Sequence, residues 1–155
     1  VTLDDAAFLE VVRNAPLVSI DLIVENPAGE VLLGLRNNEP ARGSWFVPGG
    51  SVRKGERLAD AFARVARGEL GLSLRIGDAR LLGVFEHLYD TNFAGAPGVG
   101  THYVVLAYRV ALPDGDAPRA DAQHGAFRWW PWDRVREDPA VHPNTRPYAG
   151  PAREG

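Results

Sequence analysis

The segment GGSVRKGERLADAFARVARGELGL, residues 49–72, constrains the chain more than any other. Two glycines are followed by a charged loop, and then by a helical pattern from about Arg57 to Leu70 that stops at Gly71. At about 100° per residue, Phe62, Val65 and Glu69 fall on one stripe that is otherwise apolar. A glycine just past the last periodic residue is a helix stop, because it takes the left-handed conformation at no steric cost. A glycine pair ahead of the helix lets the backbone turn tightly and expose its carbonyl oxygens. A carboxylate in line with core residues is costly to bury without a partner or a task. Glu69 therefore marks a helix that does more than pack.

Around this unit the chain alternates strands and short helices. LDDAAFLEVVRNAP reads as an amphipathic helix closed by Pro16, with Phe8, Val11 and Val12 on its apolar face. Residues 17–26 and 30–36 read as a hairpin around PAG, and WFVPGG (45–50) as one short strand ending in the glycine turn. Strands are expected over 79–90, 101–112 and in AFRWWPW, with a short helix near WDRVRED and little regularity in the tail VHPNTRPYAGPAREG. Strands on both sides of one strong helix point to an α+β fold, a mixed sheet in a sandwich, rather than a doubly wound one.

Composition narrows the function. The chain has 155 residues, 45% hydrophobic and 24% charged, which suits one domain spanning 1–155. Net charge is −3 and no Lys/Arg block stands out, so nucleic acid is not an expected partner. With no cysteine there is no disulfide framework and no thiolate metal site. The apolar runs are too short to span a membrane and the N-terminus is acidic, so the expected location is cytoplasmic, with no membrane partner.

The order glycine turn, Glu, Arg, Glu, Gly-Leu resembles the Nudix box, G-x5-E-x7-R-E-U-x-E-E-x-G-U with U aliphatic. Gly50, Glu56, Arg64, Glu69, Gly71 and Leu72 match in register, and Ala66 stands at the U position. Val65 and Gly68 stand where the box has glutamates. Over nearly its whole length, through WFVPGG, FEHLYDTNF, THYVVL, QHGAFRW and VHPNTRPY, the chain resembles the GDP-mannose mannosyl hydrolase branch of that family. That resemblance implies a Nudix fold, an α/β/α sandwich with a mixed central sheet. It also implies Mg²⁺ as cofactor (Mn²⁺ a possible substitute) and hydrolysis of GDP-mannose or GDP-glucose at C1 with inversion. A homodimer is implied as well, with a small nucleotide sugar as its ligand.

The resemblance also assigns roles. Gly49 (through its carbonyl), Glu69 and Gln123 would hold the metal, all three through oxygen, as Mg²⁺ prefers. His124 would be the general base, a task that suits a neutral imidazole near working pH. Arg36 and Tyr103 would stabilise the leaving diphosphate, and Asp21, inside the apolar run SIDLIV, would assist in the site. Arg64 would orient loop and helix through a carboxylate such as Glu56, with Gly50 and Gly71 structural. Arg53, His87, Tyr89 and Asp90 are candidate substrate contacts. Phe8 either joins the core or covers a nucleobase in a partner subunit. His87 and Tyr103 also fit as packed strand residues.

One departure bears on activity: Ser51 stands where the family commonly has an arginine after the glycines, and Arg53 follows two residues later. Two other readings stay open. One is a Nudix pyrophosphohydrolase cutting P–O–P. The other is a weakly active nucleotide-binding module.

Overall fold

The computed structural model describes residues 3–119 and 124–150, with all side chains in those stretches except those of His124 and Gly125. Helix α1 (Asp5–Asn14) is capped by Asp4, whose Oδ1 accepts the Ala7 N–H at 2.7 Å. Strands β1 (Leu17–Glu25) and β2 (Val31–Arg36) follow, then β3 (Trp45–Phe46) and β4 (Gly49–Ser51), then helix α2 (Leu58–Leu70). Strands β5 (Arg80–Tyr89), β6 (Thr101–Ala111) and β7 (His124–Trp130) and helix α3 (Trp132–Glu137) complete the order, with 3-10 turns at Ile76–Asp78 and Arg146–Ala149.

The described strands form one mixed sheet in the order β3-β2-β1-β6-β5, with β4 paired to β1 and β7 to β2. Only β1 and β6 run parallel. The period-two alternation of β1 divides the core. Ile20, Leu22 and Val24 meet Phe62, Val65, Ala66 and Leu70 of α2 on one face. Ile23 points the other way, into a cluster with Leu33, Trp45, Trp130, Val135, Val141 and Tyr148. Each fully buried large side chain contributes roughly 1.5–3 kcal/mol, so both faces need their cover. Helix α2 supplies one layer; α3 and the C-terminal turn supply the other. The result is the expected α/β/α sandwich. A third, smaller cluster seats α1: Val12, Leu17 and Val99, with Phe8 and Phe93 against them.

Two local expectations change. WFVPGG is not one strand: β3 and β4 are separate, with Val47 and Pro48 between them. Pro48 has no N–H to give a ladder, and its carbonyl instead accepts the Leu22 N–H at 2.8 Å, pulling the glycine pair onto β1. The hairpin of β1 and β2, with Glu25 opposite Val31, parts to admit β4.

The tail is more ordered than its sequence suggests. Trp45 N–H donates to the Ala140 carbonyl at 2.9 Å, and His142 N–H to the Trp45 carbonyl at 3.1 Å. Arg146 Nη2 reaches the carbonyls of Asp138 and Val141, and Arg136 reaches those of Ala149 and Gly150. Two guanidinium groups thus staple a segment that has little backbone ladder of its own.

Candidate active site

The glycine pair forms one wall, as extended backbone in β4 rather than as the tight turn expected from the sequence. Strand β4 lies antiparallel to β1 with Gly49 opposite Asp21 and Gly50 opposite Ile20. A Cβ on Gly49 would stand 2.5 Å from the Ile20 carbonyl oxygen and 2.6 Å from Asp21 Oδ1. No side chain fits there, so glycine is required for the close approach itself. A Cβ on Gly50 would stand 3.0 Å from Val65 Cγ2. Val65, 2% exposed, is therefore packed against the glycine pair.

The loop between β4 and α2 is held by charge. Arg64 Nε and Nη2 donate to Glu56 Oε2 and Oε1 at 2.8 and 2.9 Å, and Nη2 also donates to the Ser51 carbonyl at 2.7 Å. The Arg53 N–H closes the loop on Glu56 Oε1 at 3.0 Å. The Arg64 hydrogen bonds pull the Glu56 carboxyl down to about 2. Helix α2 ends as its sequence demands, with Gly71 at φ 65° and its N–H on the Arg67 carbonyl. Glu69, half-buried in the last turn, adds its negative field to that of Glu56 at Arg64.

The second wall is the far face of the sheet. Register puts Tyr103 beside Leu17 on β1 and opposite His87 on β5. Tyr148, 2% exposed, comes up from the C-terminal turn with its ring edge-on to Phe85 at 4.9 Å. Its hydroxyl donates to Asp21 Oδ2 at 2.6 Å and lies 3.5 Å from His87 Nε2. Burial pushes the Asp21 carboxyl up to about 7, against the opposing pull of the Tyr148 hydrogen bond and the Arg36 charge. Burial, and then the charge of His142, push the His87 imidazole down to about 4. Tyr89 is raised to about 12 and Tyr103 is also raised, burial leading in both, with Arg36 and Asp21 acting on each.

Arg36 stands with its guanidinium carbon 5.9 Å from the Phe46 ring centre. His142 stacks on Phe46 at 4.5 Å, and its Nδ1 accepts the Asn144 N–H at 3.1 Å. Among the described residues, Arg36 Nε is buried without a hydrogen-bond partner.

Of the expected site residues, Asp21, Arg36, His87, Tyr89 and Tyr103 converge here, beside Gly49. The His124 backbone lies opposite Arg36, past a bulge in the β2–β7 pairing; its side chain and all of Gln123 lie outside the described residues. The Arg53 side chain is exposed on the loop, and Asp90 is exposed past the end of β5. Asn92 shapes the loop after it, accepting from the Ala94 and Ala96 N–H groups and donating to the Ala96 and Val99 carbonyls. Phe8 packs on Phe93 of the same chain at 5.0 Å. Tyr148, His142, Phe46 and Asn144 were not among the expected site residues. The one signal for Tyr148 was indirect: a carboxylate inside an apolar strand needs a donor from elsewhere.

Among the described residues, no three His, Asp or Glu side chains gather to hold a metal ion, and no helix is long and apolar enough to cross a membrane. The family model for the NUDIX domain matches residues 15–149, which takes in both walls of the site. The chain belongs to the NUDIX family. Low-salt glycan biosynthesis protein Agl8 of Haloferax volcanii is 50% identical over 119 residues, 76% of this chain and 72% of that protein. An ADP-ribose pyrophosphatase of Methanocaldococcus jannaschii is 37% identical over 71 residues, 46% of this chain and 40% of that enzyme. Among solved structures, a MutT NUDIX hydrolase from Burkholderia pseudomallei superposes with a TM-score of 0.69 at 28% identity, covering 88% of this chain and 97% of that one. The NUDIX domain of Shewanella oneidensis NrtR, complexed with ADP ribose, superposes at 0.62 with 20% identity over 92% of each chain, a likeness of fold alone.

Proposed function

We propose that this NUDIX protein hydrolyses a GDP-hexose, GDP-mannose or GDP-glucose, at C1 of the sugar with inversion. Water attacks carbon, the C1–O bond breaks, GDP leaves, and a free hexose and a proton are released. The observation that carries this reading is the packing of Val65 against Gly50, together with the bare Gly68 on the exposed side of α2. Both replace box glutamates, so the helix offers Glu69 without the carboxylate cluster that metal-assisted attack on phosphorus uses.

Gly49, through its carbonyl, with Glu69 and Gln123, would hold Mg²⁺. The donor set is all oxygen, which suits a hard cation, and the Gly49 position admits no side chain in the way. The ion would stabilise charge on the leaving diphosphate. His124 takes the proton from the attacking water. Arg36 and Tyr103 donate to the diphosphate oxygens, and a half-buried guanidinium whose buried Nε–H has no partner among the described residues is suited to that. Asp21 orients the sugar or the water beside them. A homodimer belongs to the same reading; Leu3 and Val11, 48% and 37% exposed on the N-terminal segment, are apolar surface such a contact would cover. The name of the 50% identical relative supports a role in glycan synthesis.

A second reading, P–O–P cleavage, draws on the similarity to an ADP-ribose pyrophosphatase. Turnover of GDP-mannose with Mg²⁺ in ¹⁸O-labelled water separates the two. Label in free mannose is expected; label in a phosphate product would favour the pyrophosphohydrolase. Tight binding without turnover would favour a nucleotide-binding module. His124→Gln should cut kcat by orders of magnitude with Mg²⁺ affinity little changed.

A further inference from the structure

We propose that Tyr148 is a positioning residue: its hydroxyl holds the Asp21 carboxylate against the glycine strand β4 and so keeps that carboxylate from capturing Arg36. The inference rests on the reading above for the role of Arg36, but its geometry is independent of any substrate.

Tyr148 is buried, and the packing of its ring on Phe85 would be served equally by phenylalanine. A buried hydroxyl costs free energy unless it is bonded, and this one makes its short bond to Asp21 Oδ2. Oδ1 faces Gly49 on β4, where a Cβ would meet it at 2.6 Å. With one oxygen on Tyr148 and the other against β4, the carboxylate plane is set.

Arg36 is the competing partner. Its charge reaches Asp21, yet no hydrogen bond joins the two, and Arg36 Nε is left without an acceptor among the described residues. In a poorly solvated site an unanchored carboxylate would turn to the guanidinium, since a charge-assisted pair is stronger than a neutral one. The phenol gives Asp21 a bond that does not spend Arg36. The arginine N–H then stays available to an anion arriving from solvent. The C-terminal turn, stapled by Arg136 and Arg146, is what delivers the phenol.

The test is a double-mutant cycle of Tyr148→Phe and Asp21→Asn at pH 8, where Asp21 is ionised, read in three ways. In the ligand-free protein, the ¹³C shift of the Asp21 carboxyl should move in Tyr148→Phe, with the melting temperature lowered by only a few degrees. GDP binding with Mg²⁺ should weaken about 5- to 10-fold in Tyr148→Phe, and this loss should vanish in the Asp21→Asn background, where no charge can capture Arg36. With GDP-mannose, Tyr148→Phe should raise KM by a similar factor as well as lower kcat, and Asp21→Asn should abolish the KM part. An unmoved Asp21 shift, or losses that simply multiply in the double variant, would overturn the proposal. A wild-type protein that leaves GDP-mannose intact would count against the proposed reaction alone, because the carboxyl shift still judges Tyr148.

Discussion

Val65 lies against Gly50, with its Cγ2 3.0 Å from where a Cβ on that glycine would stand. An apolar residue at a position where the family's box carries glutamate is thus part of how β4 is packed, and the two replaced glutamates are not equivalent. Val65→Glu would bury an unpaired carboxylate, at a cost of several kcal/mol. Gly68 faces open space, and a Cβ there meets nothing within 4 Å. Gly68→Glu should therefore fold, its helix-propensity gain of about 0.5–1 kcal/mol offset in part by a negative charge in the last turn of α2, so its melting temperature should stay close to that of the wild type. Thermal melts of the two variants decide the point; a Val65→Glu protein that melts with the wild type contradicts the packing described.

Arg64 makes a bidentate pair with Glu56 and also holds the Ser51 carbonyl. Arg64→Lys cannot reproduce a planar fork on two acceptors. Stability should fall by about 1–2 kcal/mol, and the loop should become the first cleaved by protease under native conditions. Glu56 is depressed from its ordinary 4.5 to about 2, so its contribution is complete above pH 4.5 and is lost as the pH falls toward 2. Glu56→Gln should flatten that acid limb. Unchanged proteolysis of the Arg64→Lys loop would show that the pair does not order it.

The box and its loop were legible because everything in them is local: glycine pair, charged loop, helix and stop follow within 23 residues of Gly50, and each has its own conformational signature. The strands were legible from apolar, β-branched runs such as those of β1 and β6. The split at Pro48 was missed because an apolar run with an internal proline reads as one segment, while the Leu22 N–H that takes the Pro48 carbonyl is not adjacent in sequence. Tyr148 was out of reach for the same reason at larger scale. Its bond to Asp21 spans 127 positions, and nothing in VHPNTRPY has a period that points inward. What could be read was the need: Asp21 in an apolar strand required a donor.

The Asp21–Tyr148–His87 cluster predicts opposed pH dependences. His87 falls from 6.5 to about 4, so the folded protein refuses a proton that the unfolded chain accepts. Its contribution is complete above pH 6.5 and is lost as the pH falls toward 4, about 3 kcal/mol in all. Asp21 rises from 3.8 to about 7, so the folded protein keeps a proton that the unfolded chain releases. Its contribution is complete below pH 3.8 and is lost as the pH rises through 7. Between pH 4 and 6.5 the two offset each other, and wild-type stability should vary little. His87→Gln should leave a protein whose urea midpoint falls with rising pH; Asp21→Asn should leave one whose midpoint rises. Two variants that both track the wild type would remove this assignment.

Gly49 and Gly50 are neighbours in strand β4, but alanine should affect them very differently. At Gly49 the added Cβ meets backbone: the Ile20 carbonyl at 2.5 Å, besides the Asp21 carboxylate at 2.6 Å. Strand β4 must lift from β1 to relieve it, which moves the carbonyl proposed to hold the metal. At Gly50 the obstacle is Val65 Cγ2 at 3.0 Å, the end of a side chain that can yield by a few tenths of an ångström. Overpacking of the first kind costs about 1–3 kcal/mol, and the second less. Gly49→Ala should also weaken Mn²⁺ binding, followed by electron paramagnetic resonance, by at least tenfold, while Gly50→Ala stays within about threefold of the wild type. Each factor of ten is about 1.4 kcal/mol of binding free energy. Equal losses at the two positions would mean that the strand responds as a whole and that the Gly49 carbonyl has no separate part in the site.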